Sequence, residues 1–458
     1  MSKPPADKQN FLFLSIEDLN DWIEPLGGHP DTVTPNMTRL AKRAMVFENA
    51  YAEAPACSPS RTATLFGQHP WSTGVYVNKH KWHDYYEKGK RVSMVGRLRD
   101  AGYETRGAGK VFHVYPHHFD YADWTDWNMD KIEVWDTPLS RSREEWKLGL
   151  NTDFGSIPDE EVLFDERNTN WMVDQLKPGA TGQFWALGIY RPHLPFVVQE
   201  RFFKMLPEDV SDPPGLGMNR FNARDFSRHA NLSQAGVAMA DLAKALRRAL
   251  WRTGEYKDYV KAYLASIVYA DELLGKVLDQ MDAAGLWENT HVILWSDHGL
   301  QLGEKLAFRK FTLWERALRV PLMIAGPDVT PDRCTQPVSL TDLAPTVFAR
   351  LGIDIPEQFE GQDLTPALTG QKLPRDHATS VWGTGFDDTP RLSMTARSAT
   401  HRYILYWDGS EELYDHRADP WEHQNLCFDP GDLPVSEVNA LRERHQMMLP
   451  LDFEEPVK

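Results

Sequence analysis

Asn10-Phe11-Leu12-Phe13-Leu14-Ser15-Ile16, followed at once by Glu17-Asp18, is the stretch that decides the fold. Seven residues without a charge are far too few to span a membrane. They suit a strand buried on both faces of a parallel sheet. Two adjacent carboxylates at the end of such a strand lie where open α/β sheets bind their ligands, at the carboxyl ends of the strands. A solvated turn is the competing reading of Glu17-Asp18, and the other strands decide between the two.

The pattern recurs. Phe184-Trp185-Ala186-Leu187-Gly188-Ile189-Tyr190 is a second buried run, ending in Arg191-Pro192-His193-Leu194-Pro195-Phe196. The prolines flanking His193 predict an extended, non-helical backbone and a positioned imidazole. His291-Val292-Ile293-Leu294-Trp295-Ser296 is a third, ending in Asp297-His298-Gly299. Before it, Val260, Tyr263, Leu264, Ile267, Val268, Leu274, Val277, Leu278 and Met281 form one apolar stripe, which predicts a helix over Val260 to Leu286. Helix followed by strand is the alternation of a mainly parallel sheet with helices on its faces.

Other segments fit this frame. Thr34 and Pro35 read as N-cap and first residue of a short helix. Val46 to Tyr51 and Val320 to Gly326 read as strands, and Leu232 to Trp251 as helix. Gly102 to His113 reads as a short strand and a glycine-flexed turn that releases Lys110 and His113 three residues apart. A capped helix begins within Val338 to Thr346. After about residue 375 the pattern changes, and Thr395 to Asp415 predicts antiparallel strands around the turn Asp408-Gly409-Ser410. The expected architecture is α/β: a large, mostly parallel sheet sandwiched by helices over residues 1–375, and a smaller C-terminal antiparallel-sheet subdomain over 376–458.

Between the first two buried runs stands Cys57-Ser58-Pro59-Ser60-Arg61-Thr62-Ala63-Thr64-Leu65-Phe66-Gly67. Proline near a helix start, the unpaired N–H groups there and the always-charged fork of Arg61 together suit an anion held at Cys57. Aromatic and basic residues from His69 to Tyr86 read either as a lip over a site or as a surface loop. Trp124, Trp127, Trp135 and Trp146 read either as sugar-stacking platforms or as packing mass.

Bulk properties exclude several classes. At 458 residues with 41% hydrophobic, 16 Trp and 21 Phe, the chain has ample material for a core, so disorder is excluded. A formal charge of -16 disfavours nucleic acid, anionic membrane surfaces and long polyanionic substrates. The polar first ten residues and the short apolar run after them give neither a leader nor a span. Cys57, Cys334 and Cys427 make no disulfide framework and match no zinc spacing. A reducing, cytoplasmic setting is the expectation, and oligomeric state is open.

Strand ends thus offer Glu17, Asp18, His193, Asp297 and His298, while turns offer Cys57, Arg61, Lys110, His113 and Lys310. Carboxylates in this number suit a hard divalent cation, and two lysines, an arginine and a metal suit a sulfate or phosphate ester. Cys57-Ser58-Pro59-Ser60-Arg61 with Leu65-Phe66-Gly67 resembles the signature of the type I sulfatases, in which the cysteine becomes formylglycine. Gly102-Tyr103 through Gly109-Lys110 is similar to their second signature. Lys110-Val111-Phe112-His113 and Arg191 to Phe196 resemble the iduronate-2-sulfatase branch. Ser296 to Gly299, Ser339 to Asp342 with Pro345-Thr346, and Glu412 to Asp415 with Asp419-Pro420 and Asn425-Leu426 match further blocks, in order along the chain.

The resemblance implies an alkaline-phosphatase-like fold and hydrolysis of a sulfate ester of a sugar or other small organic molecule. It implies a formylglycine diol at Cys57 as nucleophile. Ca²⁺, with Mg²⁺ or Mn²⁺ as alternatives, would be held by Glu17, Asp18, Asp297, His298 and modified Cys57. Arg61 and Lys110 would stabilise the diol, Lys110 and Lys310 the sulfate, while His193 would be the acid and His113 the base. A formylglycine-generating enzyme is the implied maturation partner. Glu17 stands where the family usually has Asp, so it reaches the metal by another rotamer or leaves a water in its place. Phe66 replaces a small hydroxyl residue of the extended signature. Two rivals accompany this reading: a phosphodiesterase or phosphonate monoester hydrolase on the same fold, and an unmodified Ca²⁺-binding pseudoenzyme.

Overall fold

Alternation along the first strand divides the core in two. In the computed structural model, which describes residues 8–80, 92–113, 123–128, 153–216, 233–384 and 391–450, β1 (Asn10–Ile16) is buried at every position. Successive side chains of a strand point to opposite faces. Leu12, Leu14 and Ile16 therefore pack with Val260, Tyr263 and Leu264 of the helix Tyr256–Ala283. Phe11 and Phe13 pack on the other side with Leu343 and Val347 of the helix Leu343–Arg350. A helix on each face is what an uninterrupted apolar strand requires.

The sheet has eight strands. In chain order they are β1, β2 (Ala44–Phe47), β3 (Glu104–Gly109), β4 (Asp126–Trp127), β5 (Gln183–Ile189), β6 (Thr290–Ser296), β7 (Leu322–Ala325) and β8 (Asp332–Cys334). Their spatial order is β8-β2-β7-β6-β1-β5-β3-β4. All run parallel except β7, which is antiparallel to both its neighbours. In register, Ile16 lies opposite both Ile189 and Ser296, and Gly109 lies opposite Gly188. Four adjacent strands, β6, β1, β5 and β3, thus end along one edge. Two of these ends approach so closely that a Cβ on Gly109 would sit 2.0 Å from the Gly188 carbonyl oxygen, and one on Gly188 would sit 1.9 Å from that of Lys110. Only glycine fits both positions.

A second sheet is wholly antiparallel, with β9 (His377–Thr384), β10 (Arg391–Ser398), β11 (His401–Leu405) and β12 (Glu411–Asp415) in sequential order. Its last hairpin turns at Asp408-Gly409-Ser410, as the sequence predicts; Gly409 takes φ +80° and the Tyr406 N–H donates to the Ser410 carbonyl at 2.9 Å. Trp382, Ile404 and Tyr414 of this sheet pack with Leu313 and Trp314, just beyond Lys310. Among the described residues, no helix is long and apolar enough to cross a membrane.

Several local expectations are corrected. Val46 to Tyr51 is not one strand: β2 ends at Phe47, and Ala50–Tyr51 joins a separate three-stranded sheet. The helix expected over Leu232 to Trp251 is two helices, Gln234–Ala240 and Lys244–Thr253, joined by a 3-10 turn. Thr34 stands at the N-cap of Pro35–Ala41, but its hydroxyl accepts the Glu24 N–H. That helix is capped from afar by Asp271, whose carboxylate accepts the N–H groups of Asn36 (3.0 Å) and Met37 (2.7 Å). Trp124 and Trp127 pack against each other at 4.8 Å and against Gly107, in the core and not as a sugar platform. Trp135 and Trp146 lie outside the described residues, as does the part of the aromatic segment from Lys81 to Tyr86. Its earlier members Tyr76 and His80 are buried.

Candidate active site

The four strand ends, the helix that opens at Cys57 and the loop carrying Lys310 bring the ten candidate site residues together in one largely buried place. Cys57 opens the helix Cys57–Phe66, is 1% exposed, and has its Sγ 3.0 Å from Lys310 Nζ and 3.3 Å from His298 Nε2. His113 and His193 lie near enough for the thiol to bear on the titration of both imidazoles. Burial alone would push this thiol up, but Lys310, Lys110 and His298 together hold it well below the usual thiol range. A group that is stabilised as an anion by cations on several sides is placed for nucleophilic or anion chemistry.

From β1 come Glu17 and Asp18. Glu17 pairs with the Lys110 ammonium through Oε1, while its Oε2 is buried with no partner. Burial lifts this carboxyl well above its ordinary range, against the opposing pull of Lys110. Asp18 accepts from Lys310 Nζ at 2.8 Å, and its Oδ1 lies 3.3 Å from His298 Nε2. From β6 comes Asp297, whose Oδ2 takes Arg61 Nε at 2.9 Å and whose Oδ1 accepts the Asp18 N–H at 3.1 Å. Burial would raise it, but Arg61 keeps it below the usual carboxylate range. Arg61 spends its Nη1 on the carbonyls of Lys110 (2.7 Å) and Val111 (2.8 Å), leaving a buried Nη2 without a partner. This arginine therefore ties the ends of β3 and β6 together.

His193 follows β5 in a bonded turn, not the extended backbone expected from its prolines: its N–H donates to the Tyr190 carbonyl at 2.9 Å. Its Nδ1 lies 2.6 Å from the Leu194 carbonyl, so that nitrogen carries the hydrogen and Nε2 faces Glu17 and Asp18, 3.9 Å from each. Burial lowers both His193 and His113; Asp18 opposes the shift at the first and Cys57 at the second.

The donors fit a divalent cation. Two sets, Glu17 with Asp18, Cys57 and His193, and Asp18 with Cys57, Asp297 and His298, each bring their ligand atoms within 4.8 Å of one another. His298 Nδ1 is held by the Gly299 carbonyl at 3.0 Å, which turns Nε2 inward as a lone-pair donor. The orphaned Glu17 Oε2 is the atom such an ion would satisfy, and carboxylates with one imidazole suit a hard ion. The longer side chain of Glu17 does reach the cluster. A third set, Glu315, His416 and Glu422, is different in kind: Arg397 and Arg402 already occupy its carboxylates, which makes it an ionic lock between the helix Glu315–Leu318 and the C-terminal sheet.

Reading the sequence missed Asn78, whose Oδ1 accepts the Ser58 N–H at 2.9 Å and so orients the start of the Cys57 helix. It also missed Asp165, which binds the segment before His193. Both act across long sequence separations through backbone amides, and no local pattern marks them.

The sequence model of the sulfatase family matches residues 9–353, and that of the C-terminal region of N-sulphoglucosamine sulphohydrolase matches residues 303–447. A sulfatase of Formosa agariphila is 32% identical over 92% of this chain and 83% of its own length. A choline-sulfatase of Rhizobium meliloti is 27% identical over 95% and 86%, and mouse iduronate 2-sulfatase 28% identical over 71% and 60%. Among solved structures, the phosphonate monoester hydrolase of Agrobacterium radiobacter superposes with a TM-score of 0.76 at 18% identity, covering 96% of this chain and 94% of its own. At that identity the likeness speaks for the fold, an α/β sheet of alkaline-phosphatase type with an antiparallel C-terminal sheet.

Proposed function

The chain belongs to the sulfatase family and is a sulfuric ester hydrolase, and from that premise we propose that residue 57, converted from cysteine to formylglycine and hydrated to a diol, is its nucleophile. The observation that carries this reading is the shell around Cys57 Sγ, with Lys310 and His298 in direct contact and three buried carboxylates behind them. A divalent cation, Ca²⁺ with Mg²⁺ or Mn²⁺ as alternatives, would be held by Glu17, Asp18, Asp297, His298 and residue 57; when bound it supplies charge stabilisation to the sulfate and lowers the pKa of the attacking hydroxyl.

The chain's own groups do the rest. One hydroxyl of residue 57 gives its proton to the neighbouring Asp297 carboxylate and forms a bond to sulfur while the bond from sulfur to the alcohol oxygen breaks. Lys110 and Lys310 stabilise the sulfate oxygens, where charge collects. Nε2 of His193 carries a transferable proton in the imidazolium form; burial disfavours that form, Asp18 favours it, and an incoming sulfate anion favours it further. That proton goes to the departing alcohol. His113, which burial keeps neutral, then takes the proton of the second hydroxyl. The carbon–oxygen bond to sulfate breaks, the aldehyde returns, and water rehydrates it. A thiol has no second hydroxyl and could not close this cycle.

For the alcohol we propose a saccharide or another small organic group. The likeness to iduronate 2-sulfatase supports a sugar, and the charge of -16 works against a long polyanion. The test is mass spectrometry of the peptide containing residue 57, after coexpression with a formylglycine-generating enzyme, alongside turnover of aryl sulfate and aryl phosphonate esters. Aldehyde at residue 57 with preferred sulfate turnover is the expected result. A thiol and no turnover would leave a binding protein, and preference for phosphonate would reassign the reaction.

A further inference from the structure

Asp165 lies in the first turn of the helix Phe164–Gln175 and is 1% exposed. Both its oxygens are committed to the segment that leads from β5 to His193. Oδ1 accepts the Tyr190 N–H at 2.7 Å, and Oδ2 accepts the Arg191 N–H at 3.1 Å. The Tyr190 carbonyl in turn accepts the His193 N–H at 2.9 Å, and the Tyr190 ring packs on the imidazole with centroids 4.7 Å apart. Burial raises the Asp165 carboxyl to about 6 against the opposing pull of Arg191, whose Nε donates to the Val197 carbonyl at 3.2 Å, fastening the outgoing arm of the same turn.

A buried carboxylate with no contact to the reacting atoms is costly unless it is fully used. Here it is used on two consecutive peptides whose other atoms hold the histidine. We infer that Asp165 is the positioning residue for His193, fixing the peptides on which the imidazole is carried and so aiming Nε2 at the leaving oxygen. This rests on the reading of His193 as proton donor. Asparagine keeps one acceptor but turns an amide donor towards the Arg191 N–H, so Asp165→Asn loosens the turn without removing bulk.

Proton donation matters most when the alcohol is a poor leaving group, which gives a readout that a purely structural role would not move. In Asp165→Asn, kcat on phenyl sulfate is expected to fall about 10- to 100-fold, with KM little changed and the loss on 4-nitrophenyl sulfate within about threefold. In a His193→Ala background, Asp165→Asn should add nothing on phenyl sulfate. Near-UV circular dichroism checks the fold, and Asp165→Ser, which keeps a hydroxyl acceptor, serves if the asparagine variant does not accumulate. Equal losses on both esters, or an additive loss in the double variant, while His193→Ala alone remains selective for phenyl sulfate, would overturn the role of Asp165. A His193→Ala variant that loses both esters equally would overturn the underlying assignment of His193, and this inference with it.

Discussion

Lys310 Nζ sits 3.0 Å from Cys57 Sγ and 2.8 Å from Asp18 Oδ1, so one ammonium bridges the nucleophile position and a candidate metal ligand. Burial alone would strip its charge, but Asp18 and Cys57 hold its pKa above the ordinary lysine range, and it stays cationic throughout the working pH range. Lys310→Ala removes a buried cation aimed at developing charge. It should raise KM and lower kcat together, reducing kcat/KM by about 10²- to 10³-fold. Steady-state kinetics on an aryl sulfate decide this, and an unchanged kcat would remove Lys310 from the chemistry.

Cys57→Ala deletes one sulfur from a site that is 1% exposed and breaks no strand or cap, since the helix begins from Ala56. The fold should survive with a loss of about 1 kcal/mol, and turnover should vanish. Kinetics near those of the unmutated enzyme in this variant would sink the covalent mechanism outright.

Much of this site is legible from sequence because its parts obey local rules. A predominantly apolar strand that ends in Glu17-Asp18 or Asp297-His298 conflicts with ordinary burial, and that conflict is visible in the letters. The end of β3 is marked differently, by the glycines Gly107 and Gly109 that lead into Lys110. What is not legible acts through backbone atoms far away in the chain. Asp271 caps a helix 235 residues before it, Asp165 binds peptides 25 and 26 residues on, and Asn78 reaches the amide of Ser58. An acid on a helix reads as a solvated face until the tertiary fold buries it. The reversal of β7 is equally silent, because an apolar run buried on both faces carries no direction.

The orphaned Glu17 Oε2 and the inward His298 Nε2 predict that metal contributes to stability as well as to rate. Chelation should lower the melting temperature and Ca²⁺ should restore it, with a gain of about 2.7 kcal/mol at a free ion concentration a hundredfold above Kd. Asp297→Asn should flatten this response, because it removes a ligand and the partner of Arg61 at once. A melting temperature indifferent to both chelator and ion would refute the assignment of the site.

Glu53 predicts a pH dependence unrelated to the chemistry. It is fully buried, four residues before Cys57; Oε1 accepts the N–H (2.8 Å) and hydroxyl (2.6 Å) of Thr341, and Oε2 has no partner. Burial outweighs those bonds and pushes the carboxyl up to about 7, from 4.5. Between these values the folded state binds a proton that the unfolded state has released. Stability is therefore greatest below about 4.5 as far as this group is concerned, and falls as pH rises towards 7. The full span corresponds to about 3 kcal/mol as an upper bound. Glu53→Gln has no proton to lose, so the gap between variant and parent in urea unfolding should move in the variant's favour from pH 5 to pH 8. A gap that stays constant across that range would mean that Glu53 is already ionised in the folded protein, with water or a side chain meeting Oε2.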